Sequence, residues 1–322
     1  MAAFLMLFRI LLAGTLVLGL SAQAQEFPNR PIKIIVPFAP GASTDILARL
    51  TGTKLRAKWG QPVIVENRGG DGGNIGAAEV YHAKPDGYTL LVSPPSTLVI
   101  NKSLYGKLTY DSDLFVPVTV IATVPTVLVV YPKVSANSVQ DLIALSKGHP
   151  GQFNYASQGN GSTAQLTAEM FKLATGVKIT HVPYKGAAPA LTDLIAGHVE
   201  IMFANLASAL PFIRSGQLRA IGVASEKRNA FLPGVPTMSE VLPGFTSETW
   251  IGMVASPKTP AEIANKISAA VAEALKLPDV AKGIADLSAD PVGSTPAETA
   301  VFLKHEAERW GSVIRSVGAK AD

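Results

Sequence analysis

Three short stretches hold residue types suited to binding anions. They are Pro40-Gly41-Ala42-Ser43-Thr44-Asp45, Asn67-Arg68-Gly69-Gly70-Asp71-Gly72-Gly73-Asn74 and Ser157-Gln158-Gly159-Asn160-Gly161-Ser162-Thr163. Each follows a strand-like run and leads into a helix-like one; after the first loop, Ile46, Leu47, Leu50 and Leu55 fall at helical spacing. A helix start carries unpaired N–H groups and a partial positive charge. Glycine and serine let an anion approach those groups, and Ser and Thr hydroxyls add donors. A single loop of this kind is adequately explained as a turn and cap, and the four-glycine loop fits that role best. Two such loops in separate domains point to a ligand held between them.

The patterns for catalysis are incomplete. Gly159-Asn160-Gly161-Ser162-Thr163-Ala164 matches a dinucleotide fingerprint, but the next strand runs into Val182-Pro183-Tyr184-Lys185-Gly186 without the acid a ribose needs. Gly41-Ala42-Ser43-Thr44-Asp45 begins like a nucleophile elbow and lacks its last glycine. The five histidines have no distinctive setting, and His305-Glu306-Ala307-Glu308-Arg309 lacks the second His of a zinc-protease helix. Donors without a nucleophile, base, metal or cofactor describe a binder. An exported serine hydrolase using Ser43 is the competing expectation from another class.

Composition narrows the setting. The 322 residues are 48% apolar, enough for two domains with real cores. Arg9, the apolar run Ile10 to Leu20 and Ser21-Ala22-Gln23-Ala24 predict a secretory signal over residues 1–24, cut after Ala24, hence the periplasm. That run is about half the roughly 20 residues of a membrane span. Cleavage would lower the formal charge from +4 to +3. Basic residues are scattered, which argues against nucleic acid and suits small anions. No cysteine is present, so thiolate metal sites and disulfides are excluded.

The elements that must position the loops alternate. Candidate strands are Ile32–Val36, Val63–Val65, Tyr88–Val92, Phe115–Ala122, Thr126–Val130, Phe153–Ala156, Lys178–Val182, Val199–Phe203, Leu218–Val223 and Trp250–Ala255, with helical runs such as Ser162–Ala174 and Ala187–Ala196 between. This predicts an α/β fold with mostly parallel sheets. Pro117 and Pro125 divide the stretch from Phe115 to Tyr131 into two strands. Two long helices close the chain, each opened by Thr-Pro-Ala-Glu, at 259–262 and 295–298, read as Thr caps with capping boxes. No linker is visible, so the chain should cross between domains in strands, near Thr123-Val124-Pro125 and Ser247-Glu248-Thr249-Trp250. One lobe would hold 25–124 plus 250–322, the other 125–249. Trp59, Trp250 and Trp310 are expected in the core.

Read end to end, the chain resembles the periplasmic substrate-binding component of tripartite tricarboxylate transporters, the Bug (TctC-like) receptors. The matching pieces are Pro28-Asn29-Arg30-Pro31-Ile32, the Pro37-to-Asp45 loop, Val65-Glu66-Asn67-Arg68, Lys84-Pro85-Asp86-Gly87-Tyr88-Thr89, Asn154-Tyr155-Ala156-Ser157, Val182-Pro183-Tyr184-Lys185-Gly186 and Gly234-Val235-Pro236-Thr237. The resemblance implies a two-lobed, type II-like periplasmic binding protein fold closing on a small organic carboxylate, without a cofactor. It implies a ligand gripped by Gly41, Ala42, Ser43, Thr44 and Asp45 from one lobe, and by Ser157, Gly159, Gly161, Ser162 and Thr163 from the other. Tyr184, Ala204 and Asn205 complete the candidate set. A two-component membrane permease is the implied partner, the receptor itself being monomeric; a sensor docking on a receptor kinase is the other use of such a binder. Two departures stand out: Ala42 where glycine is usual, and Ala204 where Asp is frequent. Losing that acid disfavours an amino-acid ligand and favours a plain carboxylate, a di- or tricarboxylate, or an aromatic acid. Asp45, in the first turn of its helix, is expected to cap its own helix rather than face an anion.

Overall fold

The computed structural model describes residues 26–321, so the expected signal segment lies outside the described residues. Its spine is one mixed sheet. Strands β1 (Ile32–Val36), β2 (Val63–Asn67) and β3 (Thr89–Ser93) form a parallel triplet in the order β2-β1-β3. Strands β5 (Asn154–Ser157), β6 (Thr180–Pro183) and β7 (Ile201–Asn205) form a second triplet in the matching order β6-β5-β7. Between them run β4 (Val116–Val130) and β9 (Glu248–Ala255), antiparallel to each other, with β8 (Arg219–Val223) and β10 (Asp290–Pro291) also on β4. The expected parallel pairing is therefore found in the outer triplets, and the middle is antiparallel.

The two strands expected between Phe115 and Tyr131 are one. Strand β4 pairs with β9 along Val116 to Pro125 and with β7 along Thr126 to Val130. Proline cannot donate to a ladder. Pro117 is accommodated where the register shifts, and Pro125 sits where β4 passes from one partner to the next. The prolines mark irregularities in the ladder, not breaks in the strand.

Helices cover both faces of each half, which is why β1, β3 and β7 are mostly apolar and buried rather than alternating. In the first half, α1 (Ser43–Trp59), α7 (Ala261–Leu275) and α8 (Pro278–Asp286) lie on one face through Leu47, Leu55, Ile267, Val271 and Ile284. On the other lie α2 (Asn74–Tyr81), the segment 96–104 and α9 (Pro296–Val317). In the second half, α3 (Val139–Gly148) and α4 (Thr163–Thr175) oppose α5 (Ala187–Ala196) and α6 (Leu206–Arg214). The sequence reading missed α8 and β10, both short.

The expected capping box is present at Thr295, where Glu298 bonds back to the cap. At Thr259 it is not. That hydroxyl, buried, donates to Ser256 O at 2.8 Å, and α7 begins after Pro260. Trp250 and Trp310 are buried as expected, while Trp59 is half-buried beside Phe27.

Two acids sit near the point where β4 changes partner. Glu306 is buried and accepts the indole N–H of Trp250 at 2.8 Å and of Trp310 at 3.0 Å, and Arg309 Nη1 at 2.9 Å. Removing the carboxylate strands two indole donors and a guanidinium. Glu306→Ala is expected to lower unfolding stability by about 3–5 kcal/mol and Glu306→Gln by less, measured by urea denaturation.

Glu248 lies opposite Pro125 in the ladder. Burial, with the negative charges of Asp290, Glu226 and Glu306, pushes its carboxyl up to about 7, against the opposing effect of Arg309. The folded state thus holds this proton more tightly than the unfolded chain. The associated stability is full below the ordinary carboxylate range and is lost as pH rises through about 7. Glu248→Gln should raise the melting temperature at about pH 8 and change it little at about pH 5.

Candidate functional site

Both triplets have their first strand in the centre, so successive connections leave it in opposite directions. Ligands of open α/β sheets bind in the crevice this creates, at the carboxyl ends of the strands. The loops after β1 and β5 are two of the three picked out from sequence, and they occupy corresponding places in the two triplets.

The first loop leaves its donors open. Ala42 is the N-cap residue of α1 and has no side chain to bond the first turn. Among the described residues, the backbone N–H groups of Ser43 and Thr44 and both their hydroxyls have no hydrogen-bond partner. Gly41, at φ +88°, makes the turn that brings its own N–H onto Asp45 Oδ2 at 3.0 Å. Asp45 is buried and also takes Arg49 Nε at 3.0 Å and Asn67 Nδ2 at 3.0 Å. Asn67 Nδ2 in turn bonds Phe38 O at 3.0 Å. Burial works to raise the Asp45 carboxyl, but the bonds from Arg49, Gly41 and Asn67 outweigh it and hold it below the ordinary range. Asp45 is a clamp that shapes the loop; the capping role expected of it is not found, because its backbone bond goes to Gly41 N–H ahead of α1 and leaves the first-turn N–H groups open.

The second loop is largely satisfied internally. Ser157 is buried; its Oγ accepts Gly159 N at 3.1 Å and lies 2.7 Å from His181 Nε2. Ser162 caps α4, accepting Gln165 N at 3.3 Å and donating to Gly159 O at 2.7 Å. Gly161 N is held by Gln165 Oε1 at 2.7 Å. The Thr163 hydroxyl is the one without a hydrogen-bond partner among the described residues of this loop.

The segment 96–104 touches the second loop and the four-glycine loop. A β-carbon on Gly161, whose φ is +74°, would collide with Leu104, and Thr97 and Phe38 both pack against Gly73. The four-glycine loop is pinned from inside: Asn101 Nδ2 and Tyr110 Oη donate to the buried Asn74 Oδ1 at 2.7 and 3.0 Å. It serves as a structural turn.

Ala204 needs correction, and two further candidates hold bonds of their own within the fold. Ala204 is fully buried among Val127, Val129 and Leu206, so it faces core. Tyr184 spends its hydroxyl on Asp193 at 2.7 Å, and burial with that bond pushes its pKa up to about 12. Asn205 ends β7 and receives Thr249 Oγ1 at 3.1 Å, next to the change of partner in β4. A further hydroxyl pair not read from the sequence, Ser93 Oγ at the end of β3 and Thr97 Oγ1, 2.6 Å apart, is buried and bonded to itself. The small polar residues of Ser93-Pro94-Pro95-Ser96-Thr97 following a strand were the available signal.

Ser43 hydrogen-bonds no histidine. Among the described residues the one Ser–His hydrogen bond is Ser157–His181, and Ser157 is inaccessible. The described residues contain no acid–histidine cluster fit for a metal. Two surface hollows, of about 630 Å³ beside Val301 and Phe302 and about 500 Å³ beside Leu173 and Phe245, involve neither loop. No described helix is long and apolar enough to cross a membrane.

For Asp45→Asn the clamp loses its charge. Because its folded pKa is depressed, wild-type stability from this group is present above about pH 4 and lost below it. The variant should be less stable at neutral pH and the gap should close on acidification, read by chemical denaturation at several pH values.

The chain is similar to known receptors along most of its length. The family described as "Tripartite tricarboxylate transporter family receptor" matches residues 47–319. Protein BugT of Bordetella pertussis is 41% identical over 301 residues, covering 92% of each chain. The structure of Rpa4515 from R. palustris with adipate superposes with a TM-score of 0.83 at 35% identity, over 92% of this chain and all of that one. MatC from Rhodopseudomonas palustris with bound malate gives 0.79 at 34%, over 89% of this chain and all of that one.

Proposed function

The chain belongs to the tripartite tricarboxylate transporter receptor family, and from that premise we propose that it captures a small dicarboxylate between its two sheet halves in the periplasm. The observation that carries this reading is the first turn of α1, with open N–H groups and hydroxyls at Ser43 and Thr44 beside a loop fixed by Asp45. An anion placed there completes the helix end. Adipate and malate in the related structures support a ligand with two carboxylates.

In this reading the lobes are residues 25–124 with 250–322, and 125–249, hinged where β4 and β9 run between them. Thr163 and the open N–H groups of α4 meet the far end of the ligand. A ligand touching both lobes favours closure by its differential affinity for the closed form. The closed form, a monomer exported by a signal cut after Ala24, delivers its cargo to a two-component membrane permease. In this reading Ser43 acts as a hydrogen-bond donor to the ligand and not as a nucleophile.

Charge-assisted hydrogen bonds contribute about 1.5–3 kcal/mol each. Four of them, less the cost of association, give micromolar binding, about −8 kcal/mol. The test is a thermal-shift panel of di- and tricarboxylates, aromatic acids and amino acids. A dicarboxylate at about 100 times its Kd should stabilise by about 2.7 kcal/mol. Ser43→Ala should weaken the hit about 10- to 100-fold without moving the ligand-free melting point. Ester turnover abolished by Ser43→Ala, or no acid binding at all, would sink the proposal.

A further inference from the structure

His181 is the half-buried histidine; His82, His149, His198 and His305 are exposed. Its ring stacks on Tyr155, with centroids 4.9 Å apart and planes at 21°. Tyr155 Oη donates to Glu169 at 2.5 Å, and Lys172 pairs with the same carboxylate at 2.8 Å. On its other side His181 Nε2 meets Ser157 Oγ at 2.7 Å, where the second loop begins.

The Ser157 hydroxyl has one proton and two acceptors within reach, His181 Nε2 at 2.7 Å and Gly159 O at 3.1 Å. With Nε2 unprotonated, the hydroxyl donates to the imidazole. With the imidazolium, Nε2–H donates to Ser157 Oγ, and the hydroxyl turns to Gly159 O. That carbonyl already receives Ser162 Oγ at 2.7 Å and Ser162 N at 3.2 Å. One proton on His181 thus resets the bonds of the loop that starts α4 and brings a positive charge close behind it.

We propose that His181, acting through Ser157, is a positioning residue that makes anion capture at the second loop depend on a proton. The inference rests on the carboxylate-capture reading above. The groups facing the ring are Tyr155 from β5 and Glu169 and Lys172 from α4. Burial lowers the His181 pKa, Glu169 raises it and Lys172 lowers it, with a net fall below the usual value. The free protein therefore holds the imidazole neutral at neutral pH. A bound anion favours the imidazolium, so binding takes up a proton and tightens as pH falls.

The test has two arms. In ligand-free protein, the Gly159 amide and the His181 ring nitrogens are followed together by NMR across pH, in wild type and Ser157→Ala. The two should titrate with one midpoint in wild type, and the amide should stop following in the variant. An amide indifferent to His181 in wild type overturns the proposal. In the second arm, calorimetry measures adipate and malate binding between about pH 6 and 8. Wild-type affinity should rise several-fold towards the acid end with proton uptake, and His181→Gln should flatten that slope. A variant that is weaker at every pH but keeps the wild-type slope shows a merely structural histidine and overturns the proposal. If neither acid binds wild type at any pH, the carboxylate reading falls, and the NMR arm alone decides whether His181 governs the loop.

Discussion

The strand β4 is the constraint on which the rest depends. Its fifteen residues pair with β9 over the first ten and with β7 over the last five, β8 lying along those last residues and β10 along Ala122 and Thr123. Both sheet halves must therefore keep a register with the same backbone. The apolar run that makes this possible, VTVIATVPTVLVV, is buried almost throughout. Each fully buried aliphatic side chain there is worth about 1.5–3 kcal/mol, so the central strand is the best-anchored part of the molecule. The loops lie at the strand ends, where few such contacts exist and backbone groups are left open.

The two loops look alike in sequence and differ in what they have already bonded. Ala42 cannot cap α1, so the first turn keeps its donors. Ser162 caps α4, and Ser157 is committed to Gly159 and His181. A hydroxyl engaged with its own backbone is a worse ligand contact than one left free, because binding must first break a bond. In the proposed binding mode Ser43 and Thr44 are therefore the sharper half of the site.

Much of this was legible in the residues. Strand positions and the two anion-type loops followed from apolar runs ended by Gly, Ser and Thr, and the Thr295 capping box is a local pattern read locally. What failed depended on distant partners. Thr259 has the same motif as Thr295, yet its hydroxyl is taken by Ser256. Pro125 reads as a strand breaker until β7 and β9 are seen to share β4. Ala204 and Tyr184 were carried by resemblance, and only burial and the Asp193 bond show where their side chains go. The pairing of His181 with Ser157, 24 residues apart, follows from β5 lying parallel to β6.

The Asp45 clamp has a consequence for ionic conditions. Its carboxylate and the Arg49 guanidinium neutralise each other beneath the first turn, 3.0 Å apart. A guest at Ser43 and Thr44 meets peptide dipoles and hydroxyls over a compensated ion pair, not a bare cation. Counter-ions screen net charge over about 8–10 Å and barely weaken hydrogen bonds made at contact distance. In the proposed binding mode, grip at this turn is thus set by direction and fit, and it persists in brine where a lysine- or arginine-lined trap would let go.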